Sequence, residues 1–167
     1  MREGRLDFGI VREDAIPAGP GKGKLSLVKL TFHLCIPKKL LKPGTPATDL
    51  GKPSLWQTLP FTAGNDGGQL DTTIRGAMHD AGVDFRPVVE CQSMLQARQL
   101  VQQGDCAGIL PSLGLTGLST KETHIIEFPP LKRYGRQLVL HWNERQRRRR
   151  GVSASLVQQV ALSLRGG

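Results

Sequence analysis

Between Leu59 and Pro111 two helix-forming segments are each held between short apolar strands, and each ends on a glycine. Leu59-Pro60-Phe61-Thr62-Ala63 reads as a strand. The turn Gly64-Asn65-Asp66-Gly67-Gly68 feeds a helix over 69–81, where Leu70, Ile74, Ala77, Met78 and Ala81 recur at three- and four-residue spacing. Gly82 suits the left-handed position past that helix. A strand containing Val88-Val89 spans 85–90. Ser93 is a good N-cap for a second helix to Gln103, with Met94, Ala97, Leu100 and Val101 inward and Gly104 as its stop. Ala107 to Leu110 is a third strand, ended by Pro111. This order predicts an α/β fold with a mostly parallel sheet, since a parallel connection needs a crossover long enough to hold a helix.

The flanking segments extend the pattern. Leu6, Phe8, Ile10 and Val11 form an apolar run that reads as a strand covered on both faces. Such a strand needs neighbours, so the expectation is that the sequence is the back part of something larger. Pro17, Pro20 and three glycines make 13–24 a loop. Leu25 to Ile36 reads as one long strand, alternating from Leu30 onward, with Pro37 as its end. A helical turn capped by Thr48 is expected before Asp49-Leu50. Ile125 to Phe128 reads as an edge strand and Arg136 to Trp142 as a further strand. Ser153 or Ser155 would cap a final helix that turns Leu156, Val157, Val160, Ala161 and Leu164 inward.

Composition excludes several classes. No apolar stretch approaches the roughly 20 residues that span a bilayer, and the start of the chain has no apolar core of a signal peptide. Cys35, Cys91 and Cys106 are widely spaced and form no zinc set with His33, His79, His124 and His141. Reduced core thiols in a cytoplasmic protein are the expectation. The net charge of +9 attracts polyanions but says nothing about fold. Much of it lies in Arg145 with Arg147 to Arg150, which has no interleaved aromatics and reads as a solvated loop.

The best site candidate is the strand–turn–helix unit from Phe61 to Leu70. A glycine-rich turn at a helix start presents free backbone N–H groups and the positive end of the helix dipole, which suits a carboxylate or another small anion. Thr62, Asn65 and Gln69 add side-chain hydrogen-bonding groups. The turn lacks the Lys-Ser/Thr of a phosphate loop and the spacing of a dinucleotide fingerprint. Ser93 and the backbone of 108–111 lie at element ends, where ligands collect in open α/β sheets. His141 reads as a structural histidine. No nucleophile elbow and no acid pair stands out, so no catalytic residue, metal or cofactor is expected and the chain is not read as an enzyme.

The ordered set of segments resembles the effector domain of LysR-type transcriptional regulators. Gly4-Arg5-Leu6-Asp7-Phe8-Gly9-Ile10-Val11-Arg12 looks like that family's GxLDxGIV segment, Leu27 to Pro37 like its crossover strand, Thr48-Asp49-Leu50 like its short turn, and Leu100 to Pro111 like its LVxxGxGIxxLP stretch. The resemblance implies a type 2 periplasmic-binding-protein-like fold: two α/β lobes joined by crossover strands, with a small effector in the cleft. On that scheme 34–111 is the second lobe, and 1–33 with 112–167 is an incomplete first lobe. The pocket residues it implies are Arg12 beside the first crossover, Ala63, Gly64, Asn65, Gly67, Gly68, Gln69 and Leu70 at the helix start, and Gly108, Ile109, Leu110 and Pro111 at the return crossover. It also implies a small organic, anionic effector, lobe closure on that ligand and self-association as a dimer or tetramer. DNA binding would come only through an N-terminal winged helix-turn-helix absent from this sequence, and no membrane is involved. Cys106 departs from the family's usual glycine, and Lys38-Lys39 from its usual His-Pro-Leu surroundings. The alternative is a solute-binding protein of a transporter.

Overall fold

The computed structural model describes residues 8–17, 19–64 and 69–165. In chain order the elements are β1 (Phe8–Arg12), β2 (Lys22–Leu30), β3 (Phe32–Pro37), α1 (Pro53–Trp56), β4 (Phe61–Gly64), α2 (Gln69–Asp80), β5 (Val89–Cys91), α3 (Met94–Gln103), β6 (Ala107–Pro111), β7 (Thr123–Glu127), β8 (Arg136–Asn143), α4 (Glu144–Arg149) and α5 (Ala154–Arg165). Two compact units emerge: Met1–Leu30 with Arg136–Gly167, and Thr31–Gly135.

In the first unit β8 lies between β1 and β2, and both pairings are antiparallel. The start of the chain was expected to be a parallel strand covered on both faces. Instead β1 is an edge of this three-stranded sheet, and Ile10 is 53% exposed. Leu140 and Trp142 of β8 pack with Val157 and Ala161 of α5, joined by the partly buried Phe8, Leu25, Leu27 and Val152. Only part of the expected apolar face of α5 is covered: Leu156, Val160 and Leu164 are exposed. Ser153 caps α5, its Oγ accepting the Leu156 N–H at 3.1 Å. His141 is a buried structural residue, with Nδ1 2.9 Å from the Gly23 carbonyl oxygen.

The second unit holds a five-stranded sheet in the order β5-β4-β6-β3-β7. The pairs β4–β5 and β4–β6 are parallel, while β3–β6 and β3–β7 are antiparallel. The sheet is therefore mixed, and the parallel part is confined to the segment where strands and helices alternate. The single long strand expected over 25–36 is two strands. Thr31 separates β2 from β3, and the two join different sheets. Because β7 pairs with β3, residues 112–135 fall in this unit, which differs from the boundaries expected at 33 and 111. The β7 strand does form the sheet edge, as its sequence indicates.

Local signals set the helix ends. After α2, Gly82 takes φ +74° and the Val83 N–H reaches back to the Met78 carbonyl, closing the helix through a left-handed residue. Gly104 does the same for α3 at φ +80°. The turn at Ala47–Asp49 is a single 3-10 turn behind Pro46, with no side-chain cap from Thr48. The core includes Leu34, Ile36, Phe128 and Leu131, all nearly inaccessible. Trp56 packs on Phe128 with ring centroids 5.0 Å apart and donates its Nε1–H to the Leu50 carbonyl at 2.8 Å. A second cluster joins Cys35, Val101, Leu110 and Leu118 between sheet and α3.

Candidate functional site

The parallel strands β4, β5 and β6 end on Gly64, Cys91 and Pro111, and all three residues line one cavity of about 300 Å³ within the second unit. The carboxyl ends of parallel strands are where open α/β sheets bind ligands, because the helices that follow start there with unpaired N–H groups. Chain connection supplies two such starts. From β4 the chain crosses through α2 to β5, then returns through α3 to β6 on the other side of β4. Leu70 and Asp71 of α2 and Ser93 and Met94 at the start of α3 both line the cavity.

The α3 start is firmly built. Ser93 Oγ accepts the Gln96 N–H at 3.3 Å, and Gln96 Oε1 accepts the Gln92 N–H at 2.9 Å. This reciprocal arrangement is close to a capping box, with the amide reaching one residue further back. The first-turn N–H groups have no acceptor within the helix.

Among the predicted site residues, Ala63, Gly64, Leu70, Ile109, Leu110 and Pro111 line the cavity. Gln69 is the first residue of α2. Asn65, Gly67 and Gly68 lie outside the described residues. Gly108 serves packing: a Cβ there would meet Val101 Cγ2 at 2.9 Å and Thr62 Cγ2 at 3.2 Å, so its missing side chain lets α3 approach the sheet. Arg12 ends β1 in the first unit and forks onto Asp14, Nε to Oδ1 and Nη2 to Oδ2, each at 2.9 Å.

Reading the sequence missed Asp71, Ile74, Cys91 and Gln92, which line the same cavity, and treated Met94 and Ala97 as core. Leu70, Asp71 and Ile74 share one side of α2, and Cys91 to Met94 follow the end of β5. A search for every strand end of the sheet would have found the second group. The Cys91 thiol sits 3.1 Å from Thr62 Oγ1, both buried.

The electrostatics centre on Asp71, which is 8% exposed. Its Oδ2 accepts the Arg75 Nε–H at 2.8 Å. Arg75 Nη2 reaches Glu90 Oε1 at 3.1 Å, and its guanidinium carbon lies 5.9 Å from the centre of the Phe85 ring. The hydrogen bond to Asp71 first, and the contact with Glu90 after it, hold the guanidinium above its ordinary range. Asp71 Oδ1 is buried and has no hydrogen-bond partner among the described residues. A bare buried acceptor costs on the order of 1–3 kcal/mol.

The Arg145–Arg150 run is not a loop. Asn143 caps α4 by accepting the Gln146 N–H at 3.2 Å, and Glu144 receives Arg147 and Arg148. Among the described residues no group of three His, Cys, Asp or Glu side chains is placed to hold a metal ion, and no helix is long and apolar enough to cross a membrane.

The mixed α/β sheet, with a cavity at its parallel strand ends, fits the type 2 periplasmic-binding-protein-like fold expected from the sequence. The family model for the LysR substrate binding domain matches residues 1–160, and the chain belongs to that family. Three solved structures illustrate the likeness. An OxyR mutant of Corynebacterium glutamicum bound to hydrogen peroxide is 20% identical with a TM-score of 0.58, covering 98% of this chain and 49% of its own. Reduced OxyR from N. meningitidis is 19% identical with a TM-score of 0.57, covering 98% and 72%. The reduced OxyR regulatory domain from Pseudomonas aeruginosa is 17% identical with a TM-score of 0.59, covering 98% and 74%. The chain thus spans about half the length of the first of these. At these identities the likeness is one of fold. No curated protein matches the sequence.

Proposed function

We propose that this chain is the effector-sensing part of a LysR-type transcriptional regulator, and that its effector is a small organic anion bound in the cavity of the second unit. The observation that carries this reading is the convergence of the α2 and α3 starts on one cavity at the ends of three parallel strands. Helix N-termini favour a carboxylate, since their dipoles and first-turn N–H groups attract an anion. Leu70, Ile74, Ala97 and Ile109 offer an apolar wall for the rest of the molecule. At about 300 Å³ the cavity is at the small end of ligand sites, which selects compact molecules.

In the full-length protein the ligand would act by binding two conformational states with different affinity, since equal affinity shifts nothing. DNA binding and self-association belong to that larger protein, which is soluble and cytoplasmic on this reading. Thermal unfolding of the chain with a panel of small carboxylic acids tests the proposal, because a ligand that binds only the folded state raises Tm by mass action. A rise for at least one acid is expected, abolished by Ala97→Phe, which fills the cavity. A panel with no shift overturns the reading.

A further inference from the structure

The side chains around the effector cavity carry charge of one sign only. Among the described lining residues there is one acid, Asp71, and no Lys, Arg or His. The link from β4 to α2 reads Asn65-Asp66-Gly67-Gly68, a sequence with an acid and no cation. The cation that meets Asp71 is already shared. Arg75 gives its Nε–H to Asp71 Oδ2 at 2.8 Å and its Nη2 to Glu90 Oε1 at 3.1 Å. One guanidinium therefore stands between two acids, and the trio is net negative. Asp71 is buried, so solvent screens its charge poorly. Much of the remaining wall is apolar, with Leu70, Ile74, Met94, Ala97, Ile109 and Leu110 in it. Only the helix starts favour negative charge here.

We propose that the cavity admits one anionic group and rejects a second, so that the effector is a monocarboxylic acid with an apolar body. The inference rests on the effector-cavity reading above and narrows it. A monocarboxylate sets its one charge at the helix starts and its body against the apolar wall. The second carboxylate of a diacid has to leave water with no side-chain cation to receive it. In a cavity of about 300 Å³ it also lies close enough to the Asp71 charge to be repelled by it. A phosphate ester, which carries two negative charges on one group, meets the same two penalties. Asp71 is thus a specificity-determining residue that acts through the sign of its charge, which needs no contact with the ligand.

Isothermal titration of the 167-residue chain with two matched sets tests this. One set is hexanoate, 6-methylheptanoate and hexanedioate. The other is benzoate, 4-isopropylbenzoate and benzene-1,4-dicarboxylate. In each, the isopropyl group of the second compound takes the shape of the diacid's second carboxylate without its charge. In every set that binds, both monoacids should bind tenfold or more tightly than the diacid. Asp71→Asn should narrow that gap at least threefold. A diacid within tenfold of its isopropyl counterpart overturns the proposal and leaves the cavity reading standing. Binding by the small monoacid alone shows that length is sensed rather than charge, and overturns it equally. A folded Asp71→Asn chain with an unchanged gap overturns the part given to Asp71. Should that variant fail to fold, as its circular dichroism would reveal, the ranking on the unaltered chain still decides. No binding by any of the six overturns both readings.

Discussion

Gly23 faces Trp142 across the β2–β8 pair, and the indole ring occupies the space where a side chain at Gly23 would begin. The ring cannot easily withdraw. Its Nε1–H is held by Glu144 Oε2 at 2.7 Å, and Phe8 lies against it with centroids 6.2 Å apart. Gly23→Ala should destabilise the chain by about 1–3 kcal/mol, the usual cost of overpacking a filled site. Urea unfolding measures it, and a midpoint equal to that of the parent chain refutes the account.

Glu144 gathers donors from Arg147, Trp142 and Arg148, and these hold its carboxyl at about 2, well below the usual range. A carboxyl depressed in the folded state stabilises the fold above its unfolded value and loses that contribution as pH falls through the folded one. Stability should therefore drop between about pH 4.5 and pH 2. Melting curves across this range for the parent and for Glu144→Gln check the effect. The variant should show a smaller acid-induced fall in Tm, and an identical fall would show that other carboxylates govern the transition.

Arg75→Ala removes the one hydrogen-bond donor that reaches Asp71 among the described residues. The Arg75–Glu90 contact is exposed on both sides and contributes little. The expected cost of about 1–3 kcal/mol comes from leaving a buried carboxylate bare. A double-mutant cycle with Asp71→Asn separates the two parts. A loss with Glu90→Gln equal to that with Arg75→Ala would show that the surface pair, not the buried carboxylate, carries the effect.

Burial pushes the Cys35 thiol up to about 12. Thiolate is the reactive form, so Cys35 should resist iodoacetamide at pH 8 in the folded chain and react once urea unfolds it. Mass spectrometry of the labelled peptides reads this directly. Rapid native labelling of Cys35 would place it near the surface and contradict its position in the core.

Much of the second unit was legible from short-range patterns. Ser93, Gly82 and Gly104 act through their own neighbours within four residues, so their capping roles follow from sequence alone. The same holds for the periodic face of α2 and for Pro111 at the end of β6. Part of the cavity was legible too, since Ala63, Gly64 and Leu70 flank a glycine-rich turn at a helix start. Asp71 was not. An acid in the first turn of a helix is common and stabilising wherever it points, so its type says nothing about which oxygen is left over. The α4 helix was hidden by its own arginines, which suggest a solvated loop until Glu144 is seen to gather two of them.

The sequence by itself determined the order of helices and strands between 59 and 111, with the strand expected over 85–90 lying instead at Val89–Cys91, and the order of segments that marks the family. Both rest on local chemistry: spacing along a helix, caps and glycines past helix ends. Only the tertiary structure decided which strands pair. It broke the apolar run 25–36 at Thr31 and sent its halves to different sheets, put β1 against β8, and brought β7 to β3. A period-two pattern states that one face is buried but not against what, because the partner strand lies up to 134 residues away, as for Phe8 and Trp142. The cavity follows the same rule: its wall is made by three strand ends and two helix starts that only the sheet order brings together.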